Sequence, residues 1–242
     1  MRTIKMSQGK SETELIRKMK ESIVNLQLAL FYQQPEFRPD TKMNQVNMDM
    51  GNLFDAMPQV MSLPAEVPHD IPRVQMKSGN NKYNCNMAPA RIDFILNGNN
   101  QSEEAWPEIV QDFKAKIALF IKSTLTHSKI IRFGVIGKFF MSDKTPSLTI
   151  SRKHLKTDLQ SAEEINLRFN KSSSMHGMKL NNITSINTAF SDTFGVTEKG
   201  IFIELDTNNI PTQDPISNDD LIAVITKILP SFSPEQVKGL VK

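Results

Sequence analysis

The spacing of apolar and polar residues changes several times along the chain, and each change marks an element. Ser11-Glu12-Thr13-Glu14 fits a capping box, a hydroxyl followed three residues on by a carboxylate, and predicts a short helix with Leu15, Ile16 and Met19 on one face. From Ile23 to Tyr32 the pattern is strand-like, and Gln33-Gln34-Pro35 with Arg38-Pro39-Asp40 then forms a loop. Val46, Met48 and Met50 alternate with polar residues, which predicts a second strand, and Asn52 to Met57 has room for one helical turn. Pro64, Pro68 and Pro72 forbid both a helix interior and a central strand, so an extended surface segment is expected there. Val74 to Met76, Tyr83 to Met87 and Ile92 to Leu96 follow as a three-stranded meander, with Ser78-Gly79-Asn80-Asn81 as the first turn.

The strongest helix signal comes next. Trp106, Ile109, Val110, Phe113, Ile117, Phe120, Ile121 and Leu125 recur at three- and four-residue spacing, behind Ser102 as a cap and Glu103 and Glu104 in the first turn. A strand, "IIRFGVIGKFF", covers Ile130 to Phe140. Its glycines, Gly134 and Gly137, predict a bulge or a close approach by another backbone. The remaining expectations are short strands at Leu148 to Ile150 and Ile165 to Phe169, a polar loop from Lys171 to Gly177, and a strand from Met178 to Thr188 interrupted at Asn181-Asn182. "GIFIELDTNN", Gly200 to Asn209, is a further strand. Ser217 to Asp220 caps a helix through Leu221, Val224, Ile225 and Ile228 that Pro230 closes, and Ser233-Pro234 starts a last short helix.

"RIDFILNGNN", Arg91 to Asn100, and "GIFIELDTNN" both stand between a run of strands and an amphipathic helix. The expected fold class is therefore α+β, with two similar antiparallel meander-plus-helix units over residues 1–145 and 146–242, or one continuous domain combining them. Identities between the two stretches are few. A shared order of strands and helix leaves internal duplication and chance similarity both open.

Composition adds little. The chain has 242 residues, 39% of them hydrophobic, with no apolar run near the ~20 residues of a membrane helix. A single cysteine, Cys85, and the absence of an apolar leader core predict a cytoplasmic protein that does not sit in a membrane. Charge is more informative. The net charge is only +3, yet from Lys114 to Thr157 ten basic residues face one acid, Asp143. Lys114, Lys122, Lys129, Arg132, Lys138, Arg152 and Lys153 are the candidates for binding an anionic partner, with a solvated lysine-rich face as the plainer explanation.

No catalytic pattern survives scrutiny. His69, His127, His154 and His176 have no metal-ligand spacing, and His69, His127 and His176 are expected in exposed loops. Cys85 alternates with asparagines and lacks a basic neighbour to lower its pKa. Ser172-Ser173-Ser174-Met175-His176-Gly177 lacks the nucleophile elbow of a hydrolase, and Asp206-Thr207-Asn208-Asn209 runs into Ile210-Pro211 where a calcium loop needs an oxygen and a glycine. Asp70, Gln75 and Lys77 make only a forced nuclease triplet, and no phosphate-binding glycine loop is present. Neither a cofactor nor a metal is called for.

Two segments carry a family resemblance: "LPAEVPHDIPRVQMKSGNNKYNCNMAPARIDF" and "INLRFNKSSSMHGMKLNNITSINTAF…GIFIELDTNN". The proline-spaced entry into one meander, and an Arg-Phe-Asn strand leading into a second that ends on Asp, resemble an uncharacterised prokaryotic family of about this length. That resemblance implies a bacterial origin and an accessory role in a small operon, of the antiviral-defence or toxin–antitoxin kind, and it carries over no functional residue. The expectation is a non-enzymatic binding or assembly protein with a protein partner. The alternatives are nucleic-acid binding through 114–157 and a hydrolase or nuclease whose site is assembled from distant carboxylates. Homo-oligomerisation is a further expectation, because open sheet edges need covering and Met43 to Met61 offers an adaptable apolar surface.

Overall fold

The computed structural model describes residues 21–64, 66–98, 104–193 and 196–242. The predicted Ser11 capping box and its helix, the predicted cap Ser102 and the first-turn Glu103 lie outside them. Within them, nine strands form one antiparallel sheet: β1 (Glu21–Tyr32), β2 (Gln59–Val60), β3 (Val74–Lys77), β4 (Tyr83–Met87), β5 (Arg91–Asn97), β6 (Ile130–Ser142), β7 (Asn166–Met175), β8 (Met178–Thr193) and β9 (Val196–Asn209). Their spatial order is β2-β3-β4-β5-β1-β6-β9-β8-β7. The helices are α1 (Met43–Asp49), α2 (Trp106–His127), α3 (Pro146–Ile150), α4 (Asn218–Ile228) and α5 (Pro234–Gly239). The α+β class is thus observed.

One element order runs through the chain twice. A strand, a helix, a meander and a long helix appear as β1, α1, β3-β4-β5, α2 and again as β6, α3, β7-β8-β9, α4. In each run the first strand pairs with the last of its meander, β1 with β5 and β6 with β9, and the two first strands pair at the centre. The boundary near residue 145 falls between β6 and α3, and the sheet runs unbroken across it.

Side-chain parity sorts the sheet into two unlike faces, because successive strand residues point to opposite sides. Leu26, Leu28 and Leu30 of β1, Ile92, Phe94 and Leu96 of β5, and Phe133, Val135 and Phe139 of β6 share one face and are fully buried or nearly so. α2 covers them with Ile109, Phe113, Ile117, Phe120 and Ile121. Phe94 is the hub, with ring centroids at 5.4 Å (Phe120), 6.0 Å (Phe113), 6.1 Å (Tyr83) and 6.4 Å (Phe54). Trp106 stacks on Phe139 at 5.2 Å and donates its indole N–H to the Phe232 carbonyl at 2.7 Å, tying α2 to the C-terminal turns. Gly137 does mark a close approach, but by aromatic rings: an added Cβ would stand 2.6 Å from Phe139 Cζ.

Several local expectations are corrected. The predicted strand over 46–50 is α1: Val46 and Met50 are buried and Met48 is 63% exposed, a pattern that fits i, i+4 as well as alternation. Gly51 and Asn52, at φ 73° and 56°, end it, so 52–57 holds no helical turn. The predicted strand at Leu148 to Ile150 is α3, with Pro146 in its first turn, continuing through a π-helical turn, Ser151–Leu155. The predicted loop 171–177 is mostly β7. Only His176 and Gly177, at φ 48° and 74°, turn the chain, and β8 continues unbroken through Asn181-Asn182. α2 starts at Trp106, where Glu108 accepts the Ala105 N–H at 3.0 Å.

Candidate open-face binding site

The second face of the sheet carries no helix among the described residues, and its side chains line up in cross-strand rows. In the first row Arg91, Phe31 and Arg132 stand abreast on β5, β1 and β6. The two guanidinium carbons lie 5.6 Å and 4.9 Å from the Phe31 ring centroid, so the ring is held between two cations. The next row is Asn86, Asp93, Ala29, Gly134, Asn208 and Asn181. Beyond it run Asn84, Ile95, Gln27, Ile136, Asp206 and Ile183, and then Asn97, Asn25, Lys138, Glu204, Ser185 and Arg168. In these four rows isolated apolar side chains sit among amides and charged groups, and one row further Phe140 and Phe202 stand side by side.

These amides are organised by one another. Asn170 donates to Asn181 (3.0 Å), Asn181 to Asn208 (3.3 Å) and Asn208 to Asp206 (3.1 Å), a relay across three strands. Gln27 donates to Asp93 at 3.0 Å. Arg91 Nε is 3.1 Å from the other Asp93 oxygen, an ion-pair distance with poor hydrogen-bond alignment. Burial raises the Asp93 pKa, and Arg91 and Gln27 work against the rise. Asn25 Oδ1, Asn84 Oδ1 and Arg132 Nε are buried atoms with no hydrogen-bond partner among the described residues. Such orphans are costly, and they are concentrated on this face.

The sheet divides the seven predicted basic residues. Arg132 and Lys138 belong to the open face, where Lys138 is 3.5 Å from Glu204. Lys114 and Lys122 are exposed on α2, on the other side of the sheet, and Lys129 is exposed just before β6. Arg152 pairs with Asp158 at 3.0 Å and Lys153 reaches the carbonyl of Lys242, both beyond α3. The seven therefore do not gather on one surface. The open face has its own charge pattern: Lys77, Arg91, Arg132, Lys138, Arg168 and Lys179 against Asp93, Glu198, Glu204 and Asp206.

Several other titratable side chains have defined neighbours. Burial opposes the charge of Lys82, but Glu104 at 2.8 Å and Asp112 at 3.1 Å outweigh it and push its pKa up. Tyr83 donates to Asp112, and burial with that bond raises the phenol to about 12, so it stays neutral. His69 packs edge-on against Phe37, His154 meets the Leu240 carbonyl at 2.8 Å, His127 is 4.0 Å from Asp49 and His176 is 3.5 Å from Asp220. None of these contacts joins a histidine to a nucleophile. Cys85 is fully buried, which drives its thiol pKa up. Among the described residues, no group of His, Cys, Asp or Glu is arranged to hold a metal, and no helix is long and apolar enough to cross a membrane.

Comparison with models of protein families gives no match, and comparison with curated proteins gives none either.

Proposed function

We propose that the chain is a non-enzymatic binding and assembly protein, that its recognition surface is the open face of the sheet, and that its partner is another protein. The observation that carries this reading is the contrast between the two faces. One is packed with aromatic and aliphatic side chains under α2. The other presents aligned amides, each with donors and an acceptor, around Ile95, Ile136 and Ile183. Six cations interspersed with four carboxylates suit a polar protein surface of mixed charge better than a polyanion, which would meet Glu204 and Asp206 near the centre. The repeated element order supports reading the two runs as a duplicated unit. The family resemblance favours a bacterial cytoplasmic setting and a partner from the same defence or toxin–antitoxin system.

The test is affinity capture of the tagged full chain from its native host, comparing Arg132→Glu/Arg168→Glu on the open face with Lys114→Glu/Lys122→Glu on α2. The proposal expects the stoichiometric partner to be lost only with the first pair. Loss with the second pair alone refutes it. Binding to DNA or RNA that is indifferent to sequence and collapses with salt moves the assignment to nucleic acid.

A further inference from the structure

The two edges of the sheet are unlike. At one end β2 is only two residues long and runs into a segment with Pro64, Pro68 and Pro72, a blunted edge. At the other end β7 presents ten residues, Asn166–Met175, with no proline, no bulge and no partner strand beyond it among the described residues. The two-residue turn at His176 and Gly177 makes Met175 and Met178 a pair that exchanges hydrogen bonds. Counting back by twos, Lys171 and Ser173 bond towards β8, and Asn166, Arg168, Asn170, Ser172 and Ser174 point their N–H and C=O groups outward. Asn182 Nδ2 reaches the Lys171 carbonyl at 2.9 Å from the β8 side, in keeping with that count. The helix layer also stops short here. Leu167, Phe169 and Met175 are only half-buried on the helix side, and nearby Leu155 is 45% exposed.

We infer that β7 is a dimerisation edge, occupied by β7 of a second copy of this chain in antiparallel register centred on Asn170. The strand's own sequence argues for a self-partner. With Asn170 opposite its mate, Arg168 faces Ser172, Phe169 faces Lys171, Leu167 faces Ser173 and Asn166 faces Ser174, so all of the strand but Met175 is used and no like charges oppose. Moving the centre to Lys171 sets two ammonium groups against each other, and moving it to Phe169 leaves the Ser173–Met175 end unpaired. The dimer continues the sheet with the helices of both copies on one side and both open faces on the other. It thereby doubles the recognition surface.

Sedimentation velocity or light scattering of the full chain at micromolar concentration is expected to give the mass of two chains. Asn170→Pro removes an outward N–H and the side-chain bond to Asn181 but leaves the β7–β8 backbone hydrogen bonds in place, and it is expected to give a monomer with an unchanged far-UV spectrum. Asn170→Cys places two thiols across the two-fold at a Cα separation of about 5.5 Å, within disulfide range, and is expected to cross-link on oxidation. Ser172→Cys, about 14 Å from its mate along the strands, is expected not to. Cys85 is buried and does not compete. A wild-type monomer overturns the inference, including one that takes up a strand from a different protein. So does a dimer that persists in Asn170→Pro, or cross-linking at Ser172 without cross-linking at Asn170.

Discussion

Phe94 and Ile95 are neighbours on β5 and point to opposite faces of the sheet, so replacing each with alanine measures how differently those faces are packed. Phe94 is completely buried and touches the rings of Phe54, Tyr83, Phe113 and Phe120. Removing such a ring costs about 3–5 kcal/mol, from lost transfer energy and a cavity that rigid neighbours cannot fill. At about 2–4 °C per kcal/mol for a domain of this size, Phe94→Ala should melt roughly 6–20 °C lower. Ile95 is half-exposed, with Asn84 and Gln27 beside it and no element above it among the described residues. Its alanine variant should cost under about 1 kcal/mol. Urea unfolding followed by the fluorescence of the single tryptophan, Trp106, reports both variants, and an unchanged m value keeps the comparison valid. If Ile95→Ala costs as much as Phe94→Ala, the second face is packed against something and the account of an open surface fails.

Gly200→Ala should lose about 1–3 kcal/mol in the same assay, because the new Cβ would stand 2.3 Å from the Met141 carbonyl oxygen, a backbone atom that cannot yield; Gly134→Ala, with 3.6 Å of clearance, should be near neutral. Ser217→Ala should lose about 1 kcal/mol, because the hydroxyl accepts the Asp220 N–H at 3.1 Å and caps α4. Burial opposes the charge of Glu21, but Lys238 and Lys242 prevail and hold its pKa below the usual 4.5; its stabilisation is therefore complete above that value and lost as pH falls through the lower folded one. Glu21→Gln should flatten that acid limb and cost under about 1 kcal/mol at neutral pH, since both lysines remain partly exposed to solvent. Cys85 should ignore a thiol reagent in the native protein and react at the rate of unfolding.

The elements that were legible in the sequence are those with one wet and one dry side. β1, the β3-β4-β5 meander, α2 and α4 alternate or recur cleanly because α2 and the sheet bury one side of each. The apolar signal of β7 stops at Phe169 because both sides of the strand are largely solvated, so Lys171 to Ser174 carry no apolar period. α1 is ambiguous in the sequence because Val46 and Met50 satisfy two periods at once. The candidate site was legible only in fragments. Asn84 and Asn86, or Gln27, show as polar alternates of a strand, but the row of Arg91, Phe31 and Arg132 exists only once β1 pairs with both β5 and β6. The basic run from Lys114 to Thr157 dispersed for a related reason: α2 and β6 are consecutive in the chain, yet the exposed lysines of α2 and the polar side chains of β6 project on opposite sides of the sheet.

Site-specific photo-crosslinking in the native host tests the recognition surface most directly. A photoreactive residue at Ile136, near the centre of the open face, is compared with one at Leu119, 46% exposed on the outer side of α2. The account predicts a discrete adduct of one partner protein from Ile136 and none from Leu119. Adducts from Leu119 with none from Ile136 would place recognition on the helical side and contradict it.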